Sequence, residues 1–263
     1  MVGVEFIAYI VAVLIGISLG LIGAGGAIVA VPLFVYLLQI PPTRASGYAL
    51  FVVAVSSIYA VIQHHLARRI DWRAVIAFGM STTISVFLVR AFVMPFLPAT
   101  FTLGPISVER DHALMIAFAG VLFAAAIGML RSTEERSTDT PPHVMRLTLF
   151  GVVIGVISGF LGVGGGFLMT PALVLWGRLD MKRAVATSLF LICVNSAVGV
   201  AADMRAGLDY DWPFVLTFTG LTTVGIIIGT VLGKRVHATH LRKGFGWFVL
   251  LIGTGVLLRE LFF

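Results

Sequence analysis

The sequence predicts an all-α polytopic membrane protein made of two inverted repeats of five transmembrane segments, with broken or re-entrant helices at glycine-rich motifs. Three observations predict this fold: an apolar composition, an internal repeat and an uneven placement of basic residues. Of 263 residues, 59% are hydrophobic and 11% are charged, and the mean hydropathy is +1.06. Soluble domains average roughly 45–50% apolar and about 25% charged residues, so this composition excludes a soluble enzyme.

Apolar runs of about 20 residues are long enough to cross a bilayer as helices. The two short segments that follow glycine-rich stretches, 27–39 and 167–177, are expected to be half-helices or arms of re-entrant hairpins. Loop 95–111 is expected to lie along the outer interface as a short cap. The ten predicted segments are 4–22, 27–39, 45–65, 72–94, 112–130, 145–161, 167–177, 184–202, 212–232 and 245–262.

A glycine-rich motif interrupts the apolar sequence twice. Residues 20–27 read Gly-Leu-Ile-Gly-Ala-Gly-Gly-Ala, and residues 159–166 read Gly-Phe-Leu-Gly-Val-Gly-Gly-Gly, 139 positions later. This offset indicates a duplication, with repeats at 1–130 and 144–263. Further matches are Gly16 with Gly155, Pro32 with Pro171, Arg44-Ala45 with Arg183-Ala184, Ser56-Ser57 with Asn195-Ser196 and, after one inserted residue, Ile70-Asp71-Trp72 with Tyr210-Asp211-Trp212.

The polar stretch 131–143 connects the two repeats and is interpreted as a solvated cytoplasmic linker, with a regulatory segment as the alternative. Basic residues predict the orientation. Four loops, 66–73, 131–146, 178–183 and 233–243, hold 13 of the 18 Lys and Arg residues. An excess of basic residues marks the cytoplasmic side, so both termini are expected outside.

Each half has five segments, so the second half must enter the membrane from the opposite side, which makes the repeats inverted. The remaining five basic residues fall on the outer side. They are Arg44, Arg90, Arg110, Arg205 and Arg259.

The two glycine clusters form the main candidate site. Glycine lets a broken chain turn sharply and approach a ligand closely, and the half-helices that follow would direct free N–H groups at an anion. The alternative is that the glycines only permit close helix packing. The candidate residues are Gly23, Ala24, Gly25, Gly26, Ala27, Gly162, Val163, Gly164, Gly165 and Gly166.

Arg44 and Arg183 each open the helix after a half-helix and are candidates for binding an anion at opposite mouths. The alternative is that they snorkel to lipid headgroups. Ser56, Ser57 and Asn195 lie inside apolar segments and are candidate substrate ligands. Serine can instead bond back to its own helix carbonyls, whereas the Asn195 amide cannot be satisfied so simply.

Several other classes of function are not expected. No Asp or Glu lies in the middle of a predicted segment, which argues against a carboxylate proton relay. The single Cys193 excludes an internal disulfide. His64 and His65 are adjacent and so face different directions on a helix, which argues against a metal site formed by this pair. We expect no enzyme activity, no cofactor, no metal and no nucleic acid as a partner. The net charge of +6 is explained by basic residues in the loops and not by a nucleic-acid-binding surface.

The paired glycine motifs, with Pro32 and Pro171 behind them and the Arg-Ala pairs further on, resemble the TauE/SafE family. The resemblance covers nearly the whole chain. It implies a bacterial inner-membrane transporter of sulfite, sulfoacetate or a related sulfur-containing anion, working in the outward direction. Ala27 stands where the second motif has Gly166, so the two motifs are not interchangeable.

We therefore expect a secondary transporter that exports a small anion by alternating access, with the lipid bilayer as its surroundings and a homodimer as a possible assembly. The alternatives are an importer of another small anion and an anion channel. A substrate-gated receptor or scaffold would need a soluble signalling domain, for which the sequence shows no segment.

Overall fold

A computed structural model of the chain describes residues 2–22, 28–98, 100–103, 106–131, 144–161, 166–233 and 238–262. Over these residues the chain forms ten helices and one β-hairpin. In chain order the helices are α1 (Val2–Ile22), α2 (Ala30–Pro32, continued by a π-helical turn at Leu33–Leu37), α3 (Pro42–Leu66), α4 (Trp72–Phe96), α5 (Arg110–Arg131), α6 (Val144–Leu161), α7 (Gly166–Leu175), α8 (Met181–Arg205), α9 (Trp212–Gly233) and α10 (Ala238–Phe262).

Each of the ten predicted segments overlaps one of these helices, with ends that differ by up to seven residues. Among the described residues, α3, α4, α5, α8 and α9 are long and apolar enough to span a membrane. Shorter apolar stretches of α1, α6 and α10 cover Ile7–Leu21, Met145–Leu161 and Gly246–Arg259. Only a helix or a closed barrel satisfies its own backbone groups in lipid, and five helices of this length and apolarity indicate a multi-pass membrane protein.

The cap predicted at 95–111 contains a β-hairpin, which the sequence did not indicate. Its strands are β1 (Thr100–Leu103) and β2 (Ile106–Glu109), paired antiparallel with Thr100 opposite Glu109. The alternating Thr-Phe-Thr-Leu and Ile-Ser-Val-Glu residues have the period of two that suits a strand. The all-helical prediction therefore holds for the apolar segments but not for this connection.

Helices α3 and α8 pack against each other at the centre of the molecule. Around them, α1 packs on α9, α4 packs on α6, and α5 packs on α10. Helix α9 also contacts α3, and α4 contacts α8. Large apolar side chains such as Leu14, Ile62, Ile84 and Leu251 are exposed on the outer faces, as expected of surfaces that meet lipid.

Glycines bring α1 and α9 into backbone contact. A Cβ at Gly16 would lie 2.1 Å from the carbonyl oxygen of Thr222, and one at Gly225 would lie 2.2 Å from that of Val13. The matching contact between α6 and α4 depends on Gly155, where a Cβ would lie 2.7 Å from the Thr82 oxygen. Small residues at such crossings are typical of helix packing in membranes.

The turns between helices have the same form in both halves. Gln39 and Arg178, which are 139 positions apart, have φ angles of 56° and 54°. Arg68 and Gly207, at the same offset, have φ angles of 52° and 84°. The N–H of Arg69 donates to the His64 oxygen, as Leu208 does to Asp203. These matches extend the sequence correspondence residue by residue through both loops.

Candidate functional site

A cavity of about 290 Å³ lies where the C-terminal ends of α1, α3 and α9 meet the start of α8. We call this the cavity end of the molecule. Leu66 and Ala67 at its rim are exposed, and Leu66 keeps 72% of its surface accessible. The cavity is lined by Gly20, Leu21, Gln63, His64, Leu66, Ala67, Arg69, Met181, Lys182, Val185, Thr230 and Gly233.

The polar lining of this cavity suits an anion. Arg69 and Lys182 are positively charged, and Gln63 and His64 add further polar groups. No carboxylate is among the described lining residues. Lys and Arg side chains with polar donors beside them are the groups that bind small oxyanions in proteins.

Thr230 lies deep in this cavity, at the contact between α9 and α1. The residue is 5% exposed, and its Oγ1 has no hydrogen-bond partner among the described residues. A Cβ at Gly20 would lie 2.6 Å from the Thr230 backbone nitrogen, so the two helices touch there. An unpartnered buried hydroxyl costs about 1–3 kcal/mol, which a bound polar ligand or water would offset.

The opposite end of the α3–α8 pair holds a buried ion pair. Arg90 Nη1 donates to Asp203 Oδ2 at 2.6 Å, and Arg90 Nε donates to the Gly159 carbonyl oxygen at 2.9 Å. The side chains are only 2% and 8% exposed. A Cβ at Gly47, near the start of α3, would lie 3.3 Å from Asp203 Oδ2. We call this the ion-pair end.

The cavity and the ion pair lie far apart along α3. His64 follows Gly47 by 17 residues on this helix, which at 1.5 Å per residue is about 25 Å. The two features are therefore at opposite ends of the central helix pair.

The internal repeat relates these two ends. Gly20 corresponds to Gly159 and His64 to Asp203 at an offset of 139, and Arg90 corresponds to Thr230 at 140, after the inserted residue. The members that form the ion pair are thus the counterparts of residues that line the cavity. At one end these positions leave a space, and at the other they are joined by charge and hydrogen bonds.

Aromatic rings add to the closure of the ion-pair end. Tyr48 stacks on Tyr210 at 5.6 Å between centroids, and Tyr210 stacks on Trp212 at 5.4 Å. Tyr210 also donates a hydrogen bond to the Gly47 oxygen at 3.5 Å. Burial, with the nearby Asp203 charge, raises the pKa of Tyr210, which keeps the hydroxyl protonated as this donor. We call this the aromatic cluster; it consists of Phe34, Tyr48, Phe51, Tyr210, Trp212, Phe214 and Phe218.

Most of the predicted glycine site lies outside the described residues. This applies to Gly23, Ala24, Gly25, Gly26, Ala27, Gly162, Val163, Gly164 and Gly165. The chain on either side is described. Gly20 and Leu21 line the cavity just before the first cluster, Gly159 accepts the Arg90 hydrogen bond before the second, and Gly166 begins α7 in a buried position.

The polar candidates in α3 and α8 are fully buried near the crossing of these helices. Ser56 Oγ donates to the Val52 oxygen, and Ser57 Oγ donates to the Ala54 oxygen at 3.2 Å. Both hydroxyls therefore bond to carbonyl oxygens of their own helix, which was the alternative to substrate binding. Asn195 differs, because its Oδ1 accepts from Thr83 while its Nδ2 has no partner among the described residues.

Arg44 and Arg183 lie at the surface, and neither lines the cavity. Arg183 Nη2 contacts Asp71 Oδ2 at 3.0 Å and its side chain is 50% exposed. Lys182, its neighbour in sequence, does line the cavity. Among the described residues, no group of three or more His, Cys, Asp or Glu side chains could hold a metal ion.

Sequence reasoning did not single out Arg90, Asp203 or Thr230. The predicted segment 184–202 ended one residue before Asp203, whereas α8 continues to Arg205 and takes the carboxylate inside. A charge was interpreted as a segment end, although a paired charge can be buried. The available signal was Arg90, an ionisable residue within a predicted apolar segment, which is by default a candidate functional residue.

The sulfite exporter TauE/SafE family model matches residues 8–256. A probable membrane transporter protein of Xylella fastidiosa is 28% identical, over 94% of this chain and 92% of the relative. One from Methanocaldococcus jannaschii is 29% identical, over 89% of this chain and 88% of the relative. The sulfite exporter TauE/SafE family protein 3 of Arabidopsis thaliana is 28% identical over 43% of this chain and 24% of its own. No solved structure matches the chain.

Proposed function

Since the chain belongs to the sulfite exporter TauE/SafE family and is a membrane transporter, we propose that it exports small sulfur-containing anions. The substrates are sulfite, sulfoacetate or another organosulfonate, and the membrane is a bacterial inner membrane. Transport proceeds by alternating access, without an enzymatic step.

The cavity is the observation that carries this proposal. It holds Arg69, Lys182 and Thr230 and no described carboxylate, and its volume of about 290 Å³ suits a small solute. The loops beside it, 66–73 and 178–183, are among those rich in basic residues. By the rule that places basic loops in the cytoplasm, the cavity faces the cell interior. An exporter must collect its substrate from that side.

The inverted-repeat architecture belongs to the same proposal. Exchanging the two halves maps α1 to α6, α3 to α8, α4 to α9 and α5 to α10. Under this exchange the contact of α1 with α9 becomes that of α6 with α4, and the pairs α3–α8 and α5–α10 map onto themselves. This packing pattern supports a two-fold relation between the halves, as in transporters built from inverted repeats.

Alternating access explains why related positions differ at the two ends. With the ion-pair end closed by Arg90, Asp203 and the aromatic cluster, and a cavity at the other end, the conformation is inward-facing. Rocking of the halves would close the cavity and open the ion-pair end. An anion that leaves a negative interior gains roughly 2.3 kcal/mol per charge per 100 mV, so export needs no proton relay.

Flux measurements in proteoliposomes test the proposal. We expect saturable uptake of radiolabelled sulfite or sulfoacetate, accelerated when the opposite side contains unlabelled anion. Such counterflow requires a site that alternates between the two sides. Flux driven by potential, without saturation or counterflow, would support the channel alternative and contradict the carrier.

The direction of transport needs a separate measurement. Cells that lack the protein should accumulate more sulfite when loaded with a sulfonated precursor than cells that express it. Lower accumulation in the cells without the protein would support import and contradict export.

A further inference from the structure

Arg90 is a buried cation with an incomplete set of partners. Its Nη1 and Nε donate to Asp203 and Gly159, but its Nη2 has no hydrogen-bond partner among the described residues. The residue is 2% exposed. A guanidinium presents five donors in a fixed fork, so, as far as the described residues show, the N–H groups of Nη2 are left for a further acceptor.

The backbone at Arg90 is also irregular. Residues Val89–Val93 form a π-helical turn within α4, whereas its repeat counterpart at Thr230 lies in the regular helix α9. Single π-helical turns inside helices are found frequently at functional sites. This turn sets Arg90 against Gly159, three residues before the second glycine cluster.

We propose that Arg90 binds the transported anion in the outward-facing state. While the ion-pair end is closed, the Asp203 carboxylate takes the place of the anion as the partner of Arg90. The ligand class is a small sulfonate, sulfite or similar oxyanion. This inference rests on the proposed function, because it assigns a further residue to the same substrate.

The geometry of the guanidinium explains the choice of ligand. Arginine binds carboxylates and phosphates through two parallel N–H···O bonds, and two oxygens of a sulfonate or of pyramidal sulfite can accept in the same way. Asp203 Oδ2 uses only Nη1, so an incoming oxyanion can engage Nη2 first and then replace the carboxylate at Nη1. The cation then always has an acceptor, which avoids the large penalty of an unpaired buried charge.

The repeat relation supports this assignment independently. Thr230, the counterpart of Arg90, lines the cavity, and so do Gly20 and His64, the counterparts of Gly159 and Asp203. If the two ends take turns as access paths, Arg90, Gly159 and Asp203 will line the cavity of the other state. Arg90 would then be the buried cation in that cavity.

Charge-removing variants separate ligand binding from a structural role. The probe is radiolabelled sulfite, and the readouts are equilibrium binding to purified protein and counterflow in proteoliposomes. Arg90→Gln should weaken binding and slow exchange about tenfold or more, because a hydrogen bond to a charged group contributes about 1.5–3 kcal/mol. Asp203→Asn should bind sulfite more tightly than the parent, since it removes the competing carboxylate.

This contrast decides the proposal. An ion pair that serves only the fold would be broken equally by Arg90→Gln and Asp203→Asn, so equal losses of binding in the two variants would overturn it. Arg205→Gln is the matched control. It removes an exposed arginine two residues beyond Asp203 on the same helix and should bind and exchange like the parent.

A double variant covers the case in which Arg90→Gln does not fold. Arg90→Gln with Asp203→Asn leaves no unpaired charge, so it should be monodisperse in detergent and still fail to exchange sulfite. Parental exchange by this variant would overturn the role of Arg90 but not the proposed function. A parent that exchanges neither sulfite nor sulfoacetate would contradict both.

Discussion

The backbone N–H of Asp71 donates a 3.0 Å hydrogen bond to Oγ1 of Thr187, which lies in the other half of the chain. A second bond of the same length joins the Asp211 N–H to the Tyr48 hydroxyl. Asp71 corresponds to Asp211, and Tyr48 to Thr187. Each half therefore donates a backbone hydrogen bond to the other half, and both the donor positions and the acceptor positions are equivalent in the repeat.

Reciprocal contacts of this kind are characteristic of a two-fold interface, in which residue i meets j and j meets i. Here the two surfaces are halves of one chain. If the two-fold axis lies in the membrane plane, the halves cross the bilayer in opposite directions, and equivalent loops emerge on opposite sides. That consequence can be tested directly.

Ala67 and Ala206 are equivalent, exposed residues that follow α3 and α8. In a Cys193→Ala background, we expect Ala206→Cys to react with a membrane-impermeant maleimide in intact cells. Ala67→Cys should react only in inside-out vesicles, because a basic loop is expected on the cytoplasmic side. Cys193→Ala alone is the control for background labelling. Reaction of both cysteines from the same side would contradict inverted repeats.

Gly225→Ala should destabilise the protein. The added Cβ would lie 2.2 Å from the Val13 oxygen and 2.8 Å from the Gly16 Cα, both backbone atoms that cannot move independently. Overpacking of this kind costs about 1–3 kcal/mol. Thermal unfolding in detergent measures the loss, with Gly220→Ala on the same helix as control.

Gly220 has no heavy atom within 4 Å of an added Cβ. Its replacement by alanine should leave the melting temperature unchanged or raise it, because alanine favours a helix by about 1 kcal/mol over glycine. Equal effects at positions 220 and 225 would argue against close α1–α9 packing.

Lys182→Gln should raise the KM for the transported anion about two- to fivefold and leave the maximal rate nearly unchanged. The side chain is exposed at the cavity, and exposed charge pairs contribute about 0.2–1 kcal/mol. Screening by salt should reduce the difference. Lys243→Gln is the control, because it removes an exposed lysine that does not line the cavity. It should leave the KM unchanged. A similar rise in KM in this variant would mean that surface charge in general, and not the cavity, attracts the anion.

Asn195→Ala and Ser56→Ala should differ in their effects on transport. Ser56 bonds to the oxygen of Val52 in its own helix, so its hydroxyl is satisfied and the alanine variant should transport like the parent. The Nδ2 of Asn195 has no partner in the part of the chain that the structure describes, so it can donate to a substrate, and its loss should reduce exchange about tenfold. If Asn195→Ala exchanged the anion like the parent, Asn195 would not bind substrate and would serve only as a structural partner of Thr83.

Apolar length and the glycine and proline pattern were sufficient to predict all ten helices, because lipid permits few other backbone arrangements. The 139-residue offset also anticipated the equivalent turns at Arg68 and Gly207. The Arg90–Asp203 pair was not predicted. It joins residues 113 positions apart, and no local pattern records which distant charge completes a buried one. The hairpin at 100–109 was missed because four-residue strands carry too few alternations to be recognised.

The aromatic cluster has only a partial counterpart at the other end of the molecule, where Phe190 and Trp72, the counterparts of Phe51 and Trp212, meet edge to face at 5.2 Å. The counterparts of Phe34, Tyr48 and Tyr210 at the other end are Leu173, Thr187 and Ile70, which cannot stack. A carrier whose two ends differ in this way has unequal populations of its two conformations, even without anion or membrane potential. Under the proposed alternating access, outward opening would have to separate the stacked rings, so the empty carrier should rest with its cavity end open.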